Sequence, residues 1–136
     1  MTNEALQNII SNWIPDLEFS EEESQFLNIM VQPQQLHQLM SKLKGDEETK
    51  FDYLFCLSGV DWGVDLGVVY HLESTVHRHT IVVKVKTSDR ENPKIDSVYD
   101  IWATAEFHER EVYDFFGIEF NYHPNMKRLF LTDEWE

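Results

Sequence analysis

The apolar residues Leu6, Ile9, Ile10 and Trp13 recur at i, i+3, i+4 and i+7, which predicts a helix from about Glu4 to Ile14. Asn3 stands before it as a suitable N-cap, and Pro15-Asp16 ends it. An acidic turn at Glu21-Glu22-Glu23 is followed by Phe26, Leu27, Ile29 and Val31, which read as a strand. Pro33 in a first-turn position opens a second helix with Leu36, Leu39, Met40 and Leu43 as its apolar stripe and Gly45 as its cap. From Phe51 the pattern turns to β. The run Tyr53 to Leu57 leads into Ser58-Gly59-Val60-Asp61-Trp62-Gly63. Val68 to Leu72 and His79 to Val85 are then joined by a polar turn around Ser74 to Arg78, a hairpin signal. Ser88 to Pro93 is turn-rich, and the segment Ile95 to Trp102 carries Ser97 as a potential helix cap. A last helix is predicted over Ala103 to Phe116, with Gly117 in the C′ position that favours left-handed geometry. Extended segments follow at Ile118 to Phe120 and Leu129 to Leu131. The order α-β-α-β-β-β-α-β, without repeat, linker or composition break, predicts a single α+β domain over residues 1–136. Its expected form is a two-layer sandwich with helices packed on a mixed or antiparallel sheet.

With 136 residues, 42% hydrophobic and 26% charged, the chain can bury a core without metals or disulfides, and wholesale disorder is excluded. Its longest apolar run, Tyr53 to Leu57, is far short of the ~20 residues of a membrane helix. Met1-Thr2-Asn3-Glu4 has no basic region followed by an apolar run, so no signal peptide is expected and the protein reads as soluble and cytosol-facing. Eleven Lys and Arg against 25 Asp and Glu leave a net charge of −14. That surface repels phosphate backbones and anionic headgroups, which argues against nucleic acid and direct membrane binding. It serves either solubility or the steering of this chain onto a basic protein partner. The single cysteine, Cys56, lies in an apolar run that reads as core. It cannot form an internal disulfide, and an iron–sulfur cluster usually needs four thiolates, so no cluster is expected in this chain.

Candidate chemistry is sparse. Gly59, Gly63 and Gly67 recur every four residues, which is not the dinucleotide fingerprint, and they read as turn glycines at strand ends. His77 and His79 would share a strand face, and His108 with Glu111 has the i, i+3 spacing of a helical ligand pair, but no second helical pair completes a metal site. No Gly-x-Ser-x-Gly elbow occurs, and Cys56 lacks electropositive neighbours that would make it a thiolate. On its residues alone, this is a binding or assembly domain with no active site and no catalytic, cofactor-binding or metal residues of its own. The segment Glu109 to Leu131 stands apart. It sets Glu109, Arg110, Glu111 and Asp114 among Val112, Tyr113, Phe115 and Phe116 in about two helical turns. Such a mixture fits a helix wedged between its own sheet and another polypeptide. The plainer alternative is an amphipathic helix in which Arg110 is clamped between Glu106 and Asp114 at i, i+4 spacing.

That segment resembles the signature of the respiratory complex I 30 kDa subunit family, the C-type subunit of bacterial NADH:quinone oxidoreductase. Glu109-Arg110-Glu111, Tyr113, Asp114, Gly117-Ile118, Phe120, His123-Pro124 and Arg128-Leu129 fit it position by position. Phe51 to Asp61, Val69 to Leu72, Ser97 and Ile101-Trp102 also resemble family positions, so the likeness spans about residues 25 to 135. Two departures stand out. Tyr122 occupies a place where the family usually has Gly or Asn, which reads as a backbone not forced to positive φ, or a locally different loop. The family also continues past Trp-Glu into a Gly and a basic tail, whereas this sequence stops at Asp133-Glu134-Trp135-Glu136. The resemblance implies a non-catalytic assembly subunit of the peripheral arm, at the cytoplasmic side of the membrane. It would dock on the hydrogenase-like quinone-site subunit beside other peripheral-arm subunits, with FMN, iron–sulfur clusters and quinone on those partners and none in this chain. The signature residues would form the subunit interface. Related subunits of membrane-bound hydrogenases and formate hydrogenlyases share the signature, so that assignment stays open. A stand-alone metal-dependent enzyme and a solitary acidic adaptor are the competing readings from other classes.

Overall fold

The computed structural model describes residues 2–20, 26–63, 65–87, 91 and 93–123. Helix α1 runs Asn3–Trp13, and its N-cap is Thr2, whose hydroxyl accepts the Ala5 N–H, rather than Asn3. Strand β1 (Glu18–Ser20) precedes β2 (Leu27–Val31), and α2 spans Pro33–Gly45. Gln32 and Gln35 form a reciprocal capping box at the start of α2, and Asp46, one residue past Gly45, ends it. Then come β3 (Tyr53–Asp61), β4 (Leu66–Ser74), β5 (His79–Thr87) and β6 (Lys94–Asp96). The chain finishes its described part with α3 (Ala105–Phe116) and β7 (Glu119–Asn121). The expected acidic turn at Glu21-Glu22-Glu23 and the extended segment at Leu129 to Leu131 lie outside the described residues.

The five-stranded sheet has the order β1-β2-β5-β4-β3. Within it only β2 and β5 are parallel, Leu27 facing Ile81 and Val31 facing Val85; the other neighbours are antiparallel. The sheet is thus mixed and the fold is α+β, with a separate parallel pair of β6 and β7. Alternation sends Leu66, Val68, Tyr70 and Leu72 of β4 and Ile81, Val83 and Val85 of β5 to one face. They enter the same core as Leu6 and Ile10 of α1, Leu36, Leu39, Met40 and Leu43 of α2, and Ala105 and Val112 of α3. The opposite face carries half-buried Val69, His71, Lys84 and Lys86.

Two expectations about β3 are corrected. The run Tyr53 to Leu57 is not core throughout: Tyr53 and Phe55 are exposed and Cys56 is half-buried, its Sγ 3.6 Å from the Ser58 hydroxyl. The cause is a register break between Leu54 and Cys56, which keeps Leu54 and Leu57 inward while turning the residues between them out. Nor are all the glycines turn residues: Gly59 and Gly67 stand inside β3 and β4. The hairpin turn does fall at Ser74 to Arg78, with the Arg78 N–H donating to the Ser74 carbonyl at 2.8 Å. Asp52 ties the turn down by accepting from both the hydroxyl and the backbone N–H of Thr75, which holds its carboxyl below the usual range.

Candidate functional site

Helix α3 lies against β3, burying Ala105, Glu109 and Val112 on one stripe. A carboxylate in the middle of that stripe is unusual, and its partners account for it. Glu109 Oε1 accepts the Ser97 hydroxyl at 2.6 Å, and Oε2 accepts the Val98 N–H at 2.9 Å. Ser97, expected to cap a helix, instead caps a turn by accepting the Tyr99 N–H at 3.0 Å while donating to Glu109. His123 Nε2 donates to the Glu106 carbonyl at 2.9 Å and sits 3.9 Å from Glu109 Oε1. The Glu109 carboxyl therefore ties helix α3 to the segment after β6, and His123, two residues beyond β7, is tied to the same helix through the Glu106 carbonyl. Burial pushes that carboxyl up to about 7, against the pull of its bonds to Ser97 and Val98, and the nearby Asp100 adds to the rise. The Tyr70 hydroxyl is fully buried and has no hydrogen-bond partner among the described residues; burial, then Glu109 and Asp96, raise it well above its ordinary range.

The outward side of α3 is of another kind. Phe107 is 63% and Phe115 80% exposed, with Glu111 and Asp114 exposed around them. Loss of hydration raises the Asp114 carboxyl; Arg110 pulls it back and Glu111 adds to the rise. Among the described residues no ion pair within 4 Å joins Arg110 to Glu106 or Asp114, so the expected double clamp does not form. The Arg110 Nε is instead buried, with no hydrogen-bond partner among the described residues. The helix can sit this close to β3 because of Gly59: a Cβ there would come within 2.5 Å of the Phe116 ring and 3.1 Å of Val112. At the C-terminus Gly117 is left-handed (φ 75°), and its N–H donates to the Tyr113 carbonyl at 2.9 Å, as its position predicted.

Of the signature residues, Glu109 and His123 meet in the buried cluster, Ile118 and Phe120 enter the core, and Tyr113 is half-buried on α3. Pro124 and Arg128 lie outside the described residues. Tyr122 is the clear correction: its φ is +71° and it is 87% exposed, so an L side chain occupies a left-handed position that the substitution for Gly or Asn had argued against. Sequence reasoning placed Tyr70 among the family-like positions of its strand but missed its buried hydroxyl, and it missed Phe107. The first is hidden in an ordinary strand pattern, and the second shows only as an aromatic on the polar side of the α3 helical wheel. His77 and His79 have separate partners, the Glu47 carbonyl at 2.9 Å and the Asn3 side chain at 3.1 Å. His108 lies 3.8 Å from Glu111, and among the described residues no three His, Cys, Asp or Glu side chains gather as a metal site.

The family model described as respiratory-chain NADH dehydrogenase, 30 kDa subunit, matches residues 29–136. The NADH-quinone oxidoreductase C/D subunit of Phocaeicola vulgatus is 52% identical over 108 residues, which are 79% of this chain and 20% of that protein. The NADH-quinone oxidoreductase C subunit of Chloroherpeton thalassium is 49% identical over 96 residues, 69% of this chain and 40% of the relative. Its counterpart in Roseiflexus castenholzii is 39% identical over 116 residues, 81% of this chain and 64% of the relative. The chain thus spans a fifth of the length of the C/D relative and less than two thirds of the two C-type relatives. Among solved structures, a chain of the membrane-bound sulfane sulfur reductase, an archaeal respiratory membrane complex, superposes with a TM-score of 0.79 at 25% identity, covering 96% of this chain and 77% of that one. The family match takes in the whole of α3 and its buried carboxyl, and the chain belongs to the respiratory-chain NADH dehydrogenase 30 kDa subunit family.

Proposed function

We propose that the chain is a non-catalytic assembly subunit in the peripheral arm of an NADH:quinone oxidoreductase, docking through α3 on the hydrogenase-like quinone-site subunit. The observation that carries this reading is the two-sidedness of α3. Its inner side is fixed by Glu109 to the Ser97–Val98 segment, while its outer side presents Phe107 and Phe115 to solvent. Large exposed rings on an anchored helix supply the aromatic contacts in which subunit interfaces are enriched. The C/D relatives support the choice of partner, because in them one chain carries both the C and the D subunit names. In this reading FMN, iron–sulfur clusters and quinone reside on partner subunits, consistent with a sequence holding one cysteine. The subunit would sit peripherally at the cytoplasmic side of the membrane; no helix among the described residues is long and apolar enough to cross one.

Affinity purification of the tagged chain at native expression, followed by mass spectrometry, tests the proposal. Recovery of the quinone-site subunit is the expected result, and its consistent absence would remove the docking role. The superposition on a sulfane sulfur reductase chain favours one second reading, the equivalent subunit of a related membrane-bound respiratory complex. Co-purification of flavin-binding NADH-oxidising subunits would separate the two.

A further inference from the structure

We propose that the groove between β3 and α3 seats one basic side chain of the partner, a Lys or Arg whose aliphatic stem lies along the apolar floor and whose charged head reaches Glu111 beside the Phe115 ring. The inference rests on the docking reading above and names the chemistry that reading leaves open. The groove measures about 220 Å³ and is lined by the apolar Leu57, Val112 and Phe116, by Gly59 and by exposed Ser58, with Glu111 and Phe115 exposed at its edge. That is below the ~300 Å³ at which small-molecule pockets begin, so a side chain fits it better than a cofactor. The bare backbone of Gly59 admits the Phe116 ring against the strand, so the ring's carbon surface forms part of the groove wall.

An apolar floor with a carboxylate at the edge matches a side chain that is apolar along its length and cationic at its tip. The exposed face of the Phe115 ring offers the cation a second favourable contact. Among the described residues no Lys or Arg pairs with Glu111 within 4 Å: its cation-forming neighbour is His108 at 3.8 Å, and the Arg110 Nε is turned inward. With a net charge of −14, the chain looks outside itself for the complement.

The experiment uses the full-length chain in cells that make the whole complex. Capture of the quinone-site subunit by the unaltered chain is the precondition, and failure at that step counts against the docking reading itself. Given capture, Glu111→Lys and Phe115→Ala should each lower it about tenfold or more in competition with the unaltered chain. Asp16→Lys, the same charge change in the exposed turn after α1, should leave capture unchanged. Both groove residues are exposed, so neither substitution removes core contacts. A photo-reactive benzoylphenylalanine in place of Phe115 should attach within about two residues of a Lys or Arg of that subunit, the reach of one long side chain. Undiminished capture by Glu111→Lys overturns the inference while leaving the docking reading intact. So does an adduct with a second copy of this chain, an adduct far from any basic residue, or no adduct at all.

Discussion

Glu109 is the side chain on which the geometry of α3 turns, and it is held at a cost. Its carboxyl, pushed up to about 7 by burial, lies above the 4.5 it has when solvated, so between those values the folded chain binds more protons than the unfolded one. Stability therefore falls as pH rises from about 4.5 to about 7 and levels off above, with a span of about 3 kcal/mol for this group. His71 works in the opposite sense, because burial, and then Lys84, lower it and favour its neutral form. Comparison with Glu109→Gln separates the two. The variant keeps an acceptor for Ser97 or Val98 without ionising, and urea unfolding at about pH 5 and about pH 8 should show the stability difference shrink or reverse. Tyr122 carries a cost of another kind. Its left-handed backbone should make Tyr122→Gly neutral to about 1 kcal/mol more stable in urea unfolding, and Tyr122→Val about 1 kcal/mol less stable. If the exposed ring belongs to the docking surface, the glycine variant should also lose capture of the quinone-site subunit, trading binding for stability.

Strand β3 and helix α3 depend on each other through one missing methyl. Gly59→Val would set side-chain atoms into the Phe116 ring and Val112, and strand backbone cannot retreat as a long side chain does. The variant should lose about 1 to 3 kcal/mol and drive α3 off the sheet, loosening the Ser97–Glu109 bond as well; hydrogen exchange across 105–116 would report both. The sequence foretold α3, α2 and the β4–β5 hairpin closely, because each has a long period or a turn of fixed chemistry. Strand β1, with three residues, is too short for alternation to register, and β6 exists only because β7, far along the chain, pairs with it. Cys56 misled because a bulge breaks the alternation that apolar runs are read by. Of the site, the charge-and-ring pattern of Glu109 to Phe116 was legible, but not which charge would be buried. That choice depends on Ser97 and the Val98 N–H, which only the fold brings to Glu109.

A net charge of −14 left two readings open, solubility and steering, and the arrangement of the molecule separates them experimentally. Glu111 and Asp114 flank the exposed rings of α3, so under the proposed docking an oncoming basic partner would feel attraction toward the same face that would then hold it by apolar contact. Steering acts over a Debye length, about 10 Å at 0.1 M salt and about 3 Å at 1 M, whereas ring contacts do not depend on it. Raising salt across that range should therefore slow association of this chain with the quinone-site subunit by about tenfold or more and change dissociation much less. Stopped-flow or surface-immobilised kinetics would resolve the two rates. An association rate indifferent to salt would assign the acidic surface to solubility alone, and a dissociation rate that rises steeply would mean that charge pairs, not Phe107 and Phe115, hold the complex together.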